Sequence, residues 1–369
     1  MMLEILKEAD EILKNLNNLE HKGVNIKKIL EKAKISREEL IILLTDNSDE
    51  NLILMAKKAK QLTERYFGKT ITLFTPLYLS NYCFSPCDYC GFSAKNKIFR
   101  KKLDQQEIVK EYEAIKEMNI DSILLLTGCD KINTPFEYIL DAVKLAKNYF
   151  SEISIEVYPM EEEEYEILVK EGLTGVVQYQ ETYNQETYKK LHPIGPKSDY
   201  EYRLYTQERA LKAGVYEVTV GVLLGLHDPV EDVFKTILHA EYLSKKYPKA
   251  EINISFPRFR DPQTGFKPKY EVNEKSLLRF ILCARIYLPH VGITISTRES
   301  SMFRDSIIGY GVTKMSAGSR TTVGGYSKIE NTNAQFETDD KRSVNEIVKA
   351  IKNKGYRPEF TNWIRGGLY

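Results

Sequence analysis

Three cysteines on one short segment carry the clearest chemical signal in this chain. Cys83, Cys87 and Cys90 have the spacing Cys-x3-Cys-x2-Cys and come directly after an apolar stretch at residues 72–80. Three thiolates on one loop can bind three irons of a cubic 4Fe–4S cluster, which leaves the fourth iron without a protein ligand. An open position on a metal centre is typical of a site that performs chemistry.

Other cysteine sites need a fourth ligand. A ferredoxin-type electron carrier needs a fourth cysteine, and a structural zinc site needs a fourth Cys or His close by. The residues that follow, Gly91-Phe92-Ser93, supply neither. A zinc knuckle, a redox pair and a chance spacing stay open as alternatives.

The cysteine segment resembles that of the radical S-adenosylmethionine enzymes, with Tyr89 as the aromatic residue before the last cysteine. The resemblance implies that S-adenosylmethionine chelates the open iron, and that its cleavage gives methionine and a 5′-deoxyadenosyl radical, which abstracts a substrate hydrogen. The flanking residues 75–82 and 91–93 are similar to one branch, the aromatic amino-acid lyases. This branch includes 2-iminoacetate synthase of thiamine biosynthesis, the tyrosine lyase of hydrogenase maturation and a tryptophan lyase.

The composition excludes several other classes of protein. The chain has 369 residues, of which 42% are hydrophobic and 28% charged, enough for one large domain with appendages. A formal charge of +1 predicts no nucleic-acid partner and no anionic membrane surface. No apolar run reaches the ~18 residues needed to cross a bilayer. The charged N-terminus and the few, clustered cysteines lead us to expect a cytoplasmic protein.

Strand-like and helix-like segments alternate along most of the chain. Residues 1–70 carry helical apolar stripes, and Ser36 with Glu39 has the form of a capping box. Eight β-rich stretches follow, at residues 72–80, 122–127, 153–159, 175–181, 217–226, 251–257, 292–296 and 314–317. Helical segments lie between them, among them residues 106–118, 136–150, 162–171 and 229–246.

This alternation predicts a (β/α)8 TIM-type barrel. Several strands are nearly continuous apolar runs, as expected when both faces of a sheet are covered. An open barrel of six strands with extra strands is the alternative in this superfamily, but the closed barrel is favoured. We expect an N-terminal helical extension at residues 1–70 and the barrel at residues 71–330. A C-terminal extension at residues 331–369 would close the barrel, with a helix at residues 343–354 and an irregular aromatic tail.

Polar residues follow most of the predicted strands, where this fold places its active site. Thr127 and Gly128 end the second strand and, by the resemblance, occupy the place of the family's Gly-Gly-Glu segment, whose carbonyls bind the methionyl ammonium. Glycine allows a ligand to approach the backbone closely. Cys129 stands where relatives carry glutamate, so a side-chain role of that glutamate is not expected here. An ordinary strand-to-helix turn is the alternative.

Residues 180–183 and 202–204 are also similar to the family. The resemblance implies that Glu181 and Arg203 bind S-adenosylmethionine, with Arg203 on the methionyl carboxylate, and that Tyr89 contacts the adenine. A guanidinium suits this role because it matches a carboxylate with two parallel hydrogen bonds. The alternatives are a surface ion pair for Arg203, a helix N-terminal charge for Glu181 and an ordinary packed side chain for Tyr89. His192 is interpreted as a loop residue.

The predicted end of the seventh strand carries Ser296 and Arg298. The resemblance implies that Arg298, assisted by Ser296, anchors the carboxylate of an amino-acid substrate. A buried carboxylate without a partner is very costly, so a closed barrel needs a cation for it. Rival arginines occur at positions 258, 260, 304 and 320, and Arg298 could instead form an ion pair with Glu299 or Asp305.

Among the lyases, the resemblance is greatest to 2-iminoacetate synthase. It implies cleavage of L-tyrosine to 2-iminoacetate and p-cresol, a flavodoxin or ferredoxin-type electron donor, and a thiazole synthase as partner. Because no cysteine follows Cys283, we do not expect the second cluster of the hydrogenase-maturation relative. Tryptophan or another amino acid is an alternative substrate, and a non-catalytic iron–sulfur or zinc-binding barrel is an alternative class.

Overall fold

A closed barrel of eight parallel strands forms the centre of the protein. The structure is a computed structural model that describes residues 1–17, 24–261, 264–328 and 333–361. The barrel strands are β1 Thr70–Ser80, β2 Ser122–Thr127, β3 Glu152–Glu156, β4 Gly175–Val177, β5 Glu217–Gly221, β6 Glu251–Ser255, β7 Gly292–Ile295 and β8 Lys314–Ser316. Each strand pairs with the next, and β1 pairs with both β2 and β8. The predicted closed barrel is therefore confirmed.

Helices precede and surround the barrel. The first four are α1 Met2–Asn17, α2 Ile26–Glu31, α3 Arg37–Thr45 and α4 Asp49–Phe67. The others are α5 Gln105–Glu117, α6 Phe136–Ala146, α7 Glu162–Lys170, α8 Gln185–Leu191, α9 Tyr200–Leu204, α10 Thr206–Lys212, α11 Pro229–Lys246, α12 Glu274–Tyr287, α13 Ser301–Ser306 and α14 Val344–Asn353. In the part of the chain that the structure describes, no helix is long and apolar enough to cross a membrane.

The N-terminal helices are held to the barrel by an apolar face. Ser36 and Glu39 form the predicted capping box at the start of α3, which satisfies backbone N–H groups that a helix end leaves free. Leu40 and Leu43 of α3 are completely buried, and the helix packs against α11 and α12. This packing covers the outside of β5 and β6, against which α11 also lies.

A short ninth strand was not predicted. β9, at Arg357–Glu359, pairs in parallel with the first residues of β1, Thr70–Thr72. Three residues, Arg-Pro-Glu, are too few to give a strand signal in the sequence. The predicted aromatic tail falls on residues 362–369, outside the described residues, and the division at residues 70 and 330 stays a prediction.

An ion pair crosses the barrel interior near the amino ends of the strands. Lys314 of β8 reaches across to Glu217 of β5, with 2.7 Å between Nζ and Oε1. Both side chains are almost fully buried, and Phe74 lies beside the ammonium. The pair borders a cavity in the barrel interior that is also lined by Ser154 and Thr294.

Candidate active site

The cysteine loop follows β1 and is fastened by an arginine that the sequence did not single out. Arg100 donates hydrogen bonds to the carbonyl oxygens of Asn81 at 2.6 Å, Phe92 at 2.8 Å and Ser93 at 2.7 Å. Asn96 adds bonds to the carbonyl oxygens of Cys90 and Gly91. These bonds draw the two ends of the loop together, so the thiols are held in place by the backbone around them.

The three predicted cluster ligands lie together at the mouth of the barrel. Burial is the largest influence on Cys90, and with the nearby Cys87 and Cys83 it raises the pKa of the Cys90 thiol to about 12. Burial also raises the pKa of Cys87. Thiols that affect one another in this way are close neighbours, and removing their protons requires a cation, which an iron centre supplies.

Cys129 lies beside the first of these thiols. A hydrogen bond from the Cys129 side chain is the largest influence on Cys83 and lowers the pKa of its thiol to about 6. The backbone N–H of Phe84 donates to the carbonyl oxygen of Cys129 at 3.0 Å. The sequence alone does not show this contact, because Cys129 and Cys83 meet only when the fold brings the end of β2 against the cysteine loop.

Three thiols on one loop suit an iron–sulfur cluster. Within the described ranges, no three His, Cys, Asp or Glu side chains are arranged to hold a single metal ion. In a 4Fe–4S cluster each cysteine binds a different iron, so the thiolates surround a larger group. Cys83, Cys87 and Cys90 are therefore the residues that would hold it.

The end of β2 packs closely against the cysteine loop and carries a hydroxyl without a partner. A Cβ atom at Gly128 would collide with the carbonyl oxygen of Tyr82 and lie 2.9 Å from the Cβ of Cys83. Thr127 is buried, and its Oγ1 has no hydrogen-bond partner among the described residues. A buried hydroxyl is normally satisfied, so this one is consistent with a ligand beside the end of β2.

Glu181 lies directly above the barrel between two cations. Its backbone is in the left-handed region, with φ 71°, an uncommon conformation for a residue other than glycine. Its carboxylate pairs with Lys197 and, at 3.5 Å, with Arg203. Burial is the largest influence and raises the pKa of Glu181, but Lys197 and Arg203 outweigh it and lower the pKa.

Arg203 is buried and is held by protein acceptors, so the surface ion pair considered from the sequence is wrong. Its Nε donates to the carbonyl oxygen of Tyr179 at 2.7 Å. With the amide oxygen of Gln178 facing it, Nη1 and Nη2 also donate to that oxygen at 2.8 Å and 2.7 Å. Since an arginine has five N–H donors and Nη2 also faces Glu181, one N–H on Nη1 is left for a ligand.

Lys197, Tyr89 and His192 form a buried chain that joins the cysteine loop to Glu181. Lys197 donates to the hydroxyl of Tyr89 at 3.0 Å, and this hydroxyl lies 2.6 Å from Nε2 of His192. His192 Nδ1 lies 2.9 Å from the carbonyl oxygen of Tyr188, so Nδ1 carries the proton and Nε2 accepts from Tyr89. Burial, followed by Lys197 and Arg203, lowers the pKa of His192 to about 2. The histidine is thus a neutral acceptor that orients Tyr89.

Arg298 differs from its rivals in being half-buried without a carboxylate partner. Glu299 accepts from Arg258 at 3.0 Å and lies 3.5 Å from Arg260. Arg304 pairs with Asp340, Asp305 pairs with Arg342, and Arg320 is exposed. Among the described residues, the guanidinium of Arg298 has neither a hydrogen bond nor an ion pair. Its carbon Cζ lies 3.3 Å from the ring centroid of Phe336.

The segment that carries Phe336 crosses the mouth of the barrel. The backbone N–H of Gly91 in the cysteine loop donates to the carbonyl oxygen of Gln335 at 3.0 Å. The N–H of Asp339 donates to the carbonyl oxygen of Thr297 at 3.0 Å. Ser296 is half-buried, and its hydroxyl accepts from the N–H of Arg298 at 3.4 Å. The predicted substrate residues and the cysteine loop are therefore connected.

Glu156, the last residue of β3, belongs to the same region but was not predicted. Burial is the largest influence and, with Glu181 nearby, raises the pKa of Glu156 to about 7. The predicted third strand ran to residue 159, which made Glu156 an internal strand residue. A strand that ends earlier would have placed it with the other polar residues at strand ends.

Comparison with known proteins gives two matching sequence families. The profile described as Radical SAM superfamily matches residues 77–240, and the profile described as Biotin and Thiamin Synthesis associated domain matches residues 252–357. Together they cover the barrel from β1 to β9.

Individual relatives match over nearly the whole chain. The chain is 34% identical to 2-iminoacetate synthase of Escherichia coli strain K12, over 92% of this chain and 91% of that protein. It is also 34% identical to 2-iminoacetate synthase of Salmonella typhimurium, over 96% of this chain and 94% of that protein. Among solved structures, the FeFe-hydrogenase maturase HydG from Carboxydothermus hydrogenoformans superimposes with a TM-score of 0.91 at 32% identity, covering 98% of this chain and 86% of that one.

Proposed function

This chain belongs to the radical S-adenosylmethionine enzymes, in the family of 2-iminoacetate synthase, and on that premise we propose that it cleaves the Cα–Cβ bond of L-tyrosine. The products are 2-iminoacetate and p-cresol, and the imine serves the biosynthesis of the thiamine thiazole. The enzyme is a carbon–carbon lyase whose family uses a 4Fe–4S cluster and S-adenosylmethionine.

The residues at the barrel mouth supply the binding groups for these cofactors. When bound, the cluster and S-adenosylmethionine supply the radical that removes a hydrogen from the substrate. Cys83, Cys87 and Cys90 would hold the cluster. Thr127 and Gly128 would contact the methionyl ammonium, and Arg203 would contact the carboxylate through its remaining N–H. Glu181 and Tyr89 would contact the adenosyl part.

The observation that carries the proposal is the unpaired guanidinium of Arg298. A half-buried arginine without an acceptor favours an anionic ligand, because burial of an uncompensated charge is unfavourable. The carboxylate of an amino acid fits this guanidinium in a bidentate manner. Tyr78, Leu126 and Phe92 belong to one apolar cluster, and Tyr78 is near enough to act on the ionisation of Arg298. Such a cluster suits an aromatic side chain.

The reaction balances in atoms and electrons with one further electron donor. Removal of one hydrogen atom from the amino group of tyrosine and breakage of Cα–Cβ leave 2-iminoacetate and a 4-hydroxybenzyl radical. One electron and one proton convert that radical to p-cresol. A flavodoxin or a ferredoxin-type protein would supply electrons. A thiazole synthase would take up the imine before water hydrolyses it.

The test is an anaerobic assay of the cluster-loaded enzyme with a reductant and S-adenosylmethionine. L-tyrosine and L-tryptophan are supplied separately, and 5′-deoxyadenosine and the aromatic products are identified by mass spectrometry. We expect p-cresol from L-tyrosine. An aromatic fragment from tryptophan alone would show a tryptophan lyase, and absence of 5′-deoxyadenosine with every amino acid would show a non-catalytic metal-binding barrel.

A further inference from the structure

We infer that Glu156 binds the amino group of the substrate and thereby positions the nitrogen from which hydrogen is removed. This inference deepens the proposed function and rests on it. An α-amino acid carries a carboxylate and an ammonium. The inference assigns binding of the ammonium to a residue outside the predicted site.

The strand pattern places Glu156 inside the barrel. Side chains alternate between the two faces of a strand, and Ser154, two residues earlier, lines the cavity in the barrel interior together with Leu124 and Thr294. Glu156 is therefore directed to the same interior, one level closer to the mouth. It pairs in register with Leu126 of β2, which belongs to the apolar surface described above.

Glu156 and Arg298 lie on opposite sides of the barrel. In the sheet order, three strands separate β3 from β7 in either direction. Arg298 acts on the ionisation of Glu156, and Glu156 acts on that of Arg298, so both face one interior space. Yet no ion pair joins them. Within the described part of the chain, the carboxyl group of Glu156 has no hydrogen bond or ion pair at all.

The positive Arg298 and the negative Glu156 face one space without pairing, so the complementary ligand carries one charge of each sign. A zwitterion satisfies both, with its carboxylate at Arg298 and its ammonium at Glu156. An anion without an amino group would satisfy Arg298 and bring a second negative charge near Glu156. The site thus selects α-amino acids over the corresponding acids.

The cofactor is a less suitable partner for Glu156. Glu181 already lies between Lys197 and Arg203 at the position that the family uses for S-adenosylmethionine. Glu156 lies deeper, at the end of a strand, where the substrate must reach. A carboxylate that accepts N–H bonds from the amino group fixes the nitrogen's position, and such orientation contributes strongly to rate.

The experiment compares two ligands that differ only in the amino group. Cluster-loaded enzyme with S-adenosylmethionine, kept without reductant so that nothing turns over, is titrated with L-tyrosine and with 3-(4-hydroxyphenyl)propanoate in a calorimeter. The native enzyme should bind L-tyrosine about 10- to 100-fold more tightly, the range of a charge-assisted hydrogen bond. In Glu156→Gln this preference should disappear through weaker binding of L-tyrosine. Glu156→Asp should retain part of it.

Controls separate this inference from the proposed function. Glu163→Gln, an exposed acid on α7, should keep the native preference, and a native circular-dichroism spectrum shows that each variant is folded. If the native enzyme prefers L-tyrosine and Glu156→Gln keeps that preference, the inference is wrong while the proposed function stands. If Glu156→Gln loses S-adenosylmethionine instead, Glu156 belongs to the cofactor site and the inference is also wrong. If the native enzyme does not bind L-tyrosine, the proposed function fails first.

Discussion

The ammonium of Lys197 and the hydroxyl of Tyr89 are joined by a hydrogen bond of 3.0 Å, deep in the barrel mouth. Tyr89 belongs to the cysteine loop, whereas Lys197 lies just before α9 and also pairs with Glu181. One cation therefore connects the residues predicted to hold the cluster with those predicted to hold S-adenosylmethionine. A substitution in the cluster site should therefore affect the S-adenosylmethionine site, and a substitution in the S-adenosylmethionine site should affect the cluster site.

Replacement of Lys197 tests that connection. Lys197→Met leaves a buried Glu181 with Arg203 at 3.5 Å as its remaining cation, and loss of one partner of a buried pair costs about 3–5 kcal/mol. We expect weaker S-adenosylmethionine binding and a lower unfolding temperature than in Lys189→Met, an exposed lysine of α8. Equilibrium dialysis and calorimetry measure the two effects. Native affinity in Lys197→Met would show that the pair is not part of the cofactor site.

The cysteine loop predicts a sharp difference between neighbouring thiols. Alanine at Cys83, Cys87 or Cys90 removes one of three iron ligands and should abolish both the 4Fe–4S absorbance and 5′-deoxyadenosine formation. Cys129→Ala should keep the iron, although Cys129 hydrogen-bonds to Cys83. Iron analysis and visible spectra after anaerobic reconstitution distinguish the variants. A full cluster in Cys87→Ala would contradict the assignment.

Arg203 should act on S-adenosylmethionine and not on iron. Its loss removes a charge-assisted hydrogen bond of roughly 1.5–3 kcal/mol, or about 10- to 150-fold in affinity. Arg203→Ala is compared with Arg203→Lys, which keeps the charge but loses the bonds to Tyr179 and Gln178. Similar losses in both variants would show that Arg203 mainly positions Glu181. Unchanged affinity in both would remove Arg203 from the site.

The sequence predicted those parts of this protein that local patterns determine. All eight barrel strands were found, because apolar runs between helical segments are visible within a few residues, and the cysteine spacing is contained in one loop. Lys197 and the contact of Cys129 with Cys83 were missed because the partners are distant in the chain and meet only when the barrel closes. Arg298 could be proposed from the resemblance, but only the structure shows that three of its rivals are paired and that Arg320 is exposed.

The ionisation of Glu156 predicts how substrate binding depends on pH. Burial and Glu181 raise its pKa to about 7, while Arg298, Arg203 and Lys197 oppose this rise. Below that value the carboxyl group is neutral and cannot pair with an ammonium. The preference for L-tyrosine over 3-(4-hydroxyphenyl)propanoate should therefore increase from about pH 6 to about pH 8. In Glu156→Gln the ratio of the two affinities should stay small and not change with pH in this range. A matching increase in that variant would assign the effect to another group.

Arg298 should determine how tightly cleavage of S-adenosylmethionine is coupled to formation of p-cresol. Its guanidinium is half-buried and has no ion-pair partner among the described residues, and Phe336 lies against its face at 3.3 Å. Without it the tyrosine carboxylate loses its partner, and the amino nitrogen is no longer held in place. In Arg298→Ala we expect slow cleavage of S-adenosylmethionine to persist while p-cresol falls far below 5′-deoxyadenosine.

An anaerobic assay that quantifies both products measures this uncoupling. Arg298→Lys should restore coupling only in part, because a point charge cannot reproduce two parallel hydrogen bonds. Arg320→Ala, which removes an exposed arginine, should keep the native ratio of the two products and serves as the control. If Arg298→Ala forms p-cresol at the native rate and ratio, the substrate carboxylate is bound by another residue, and the unpaired guanidinium has a different ligand.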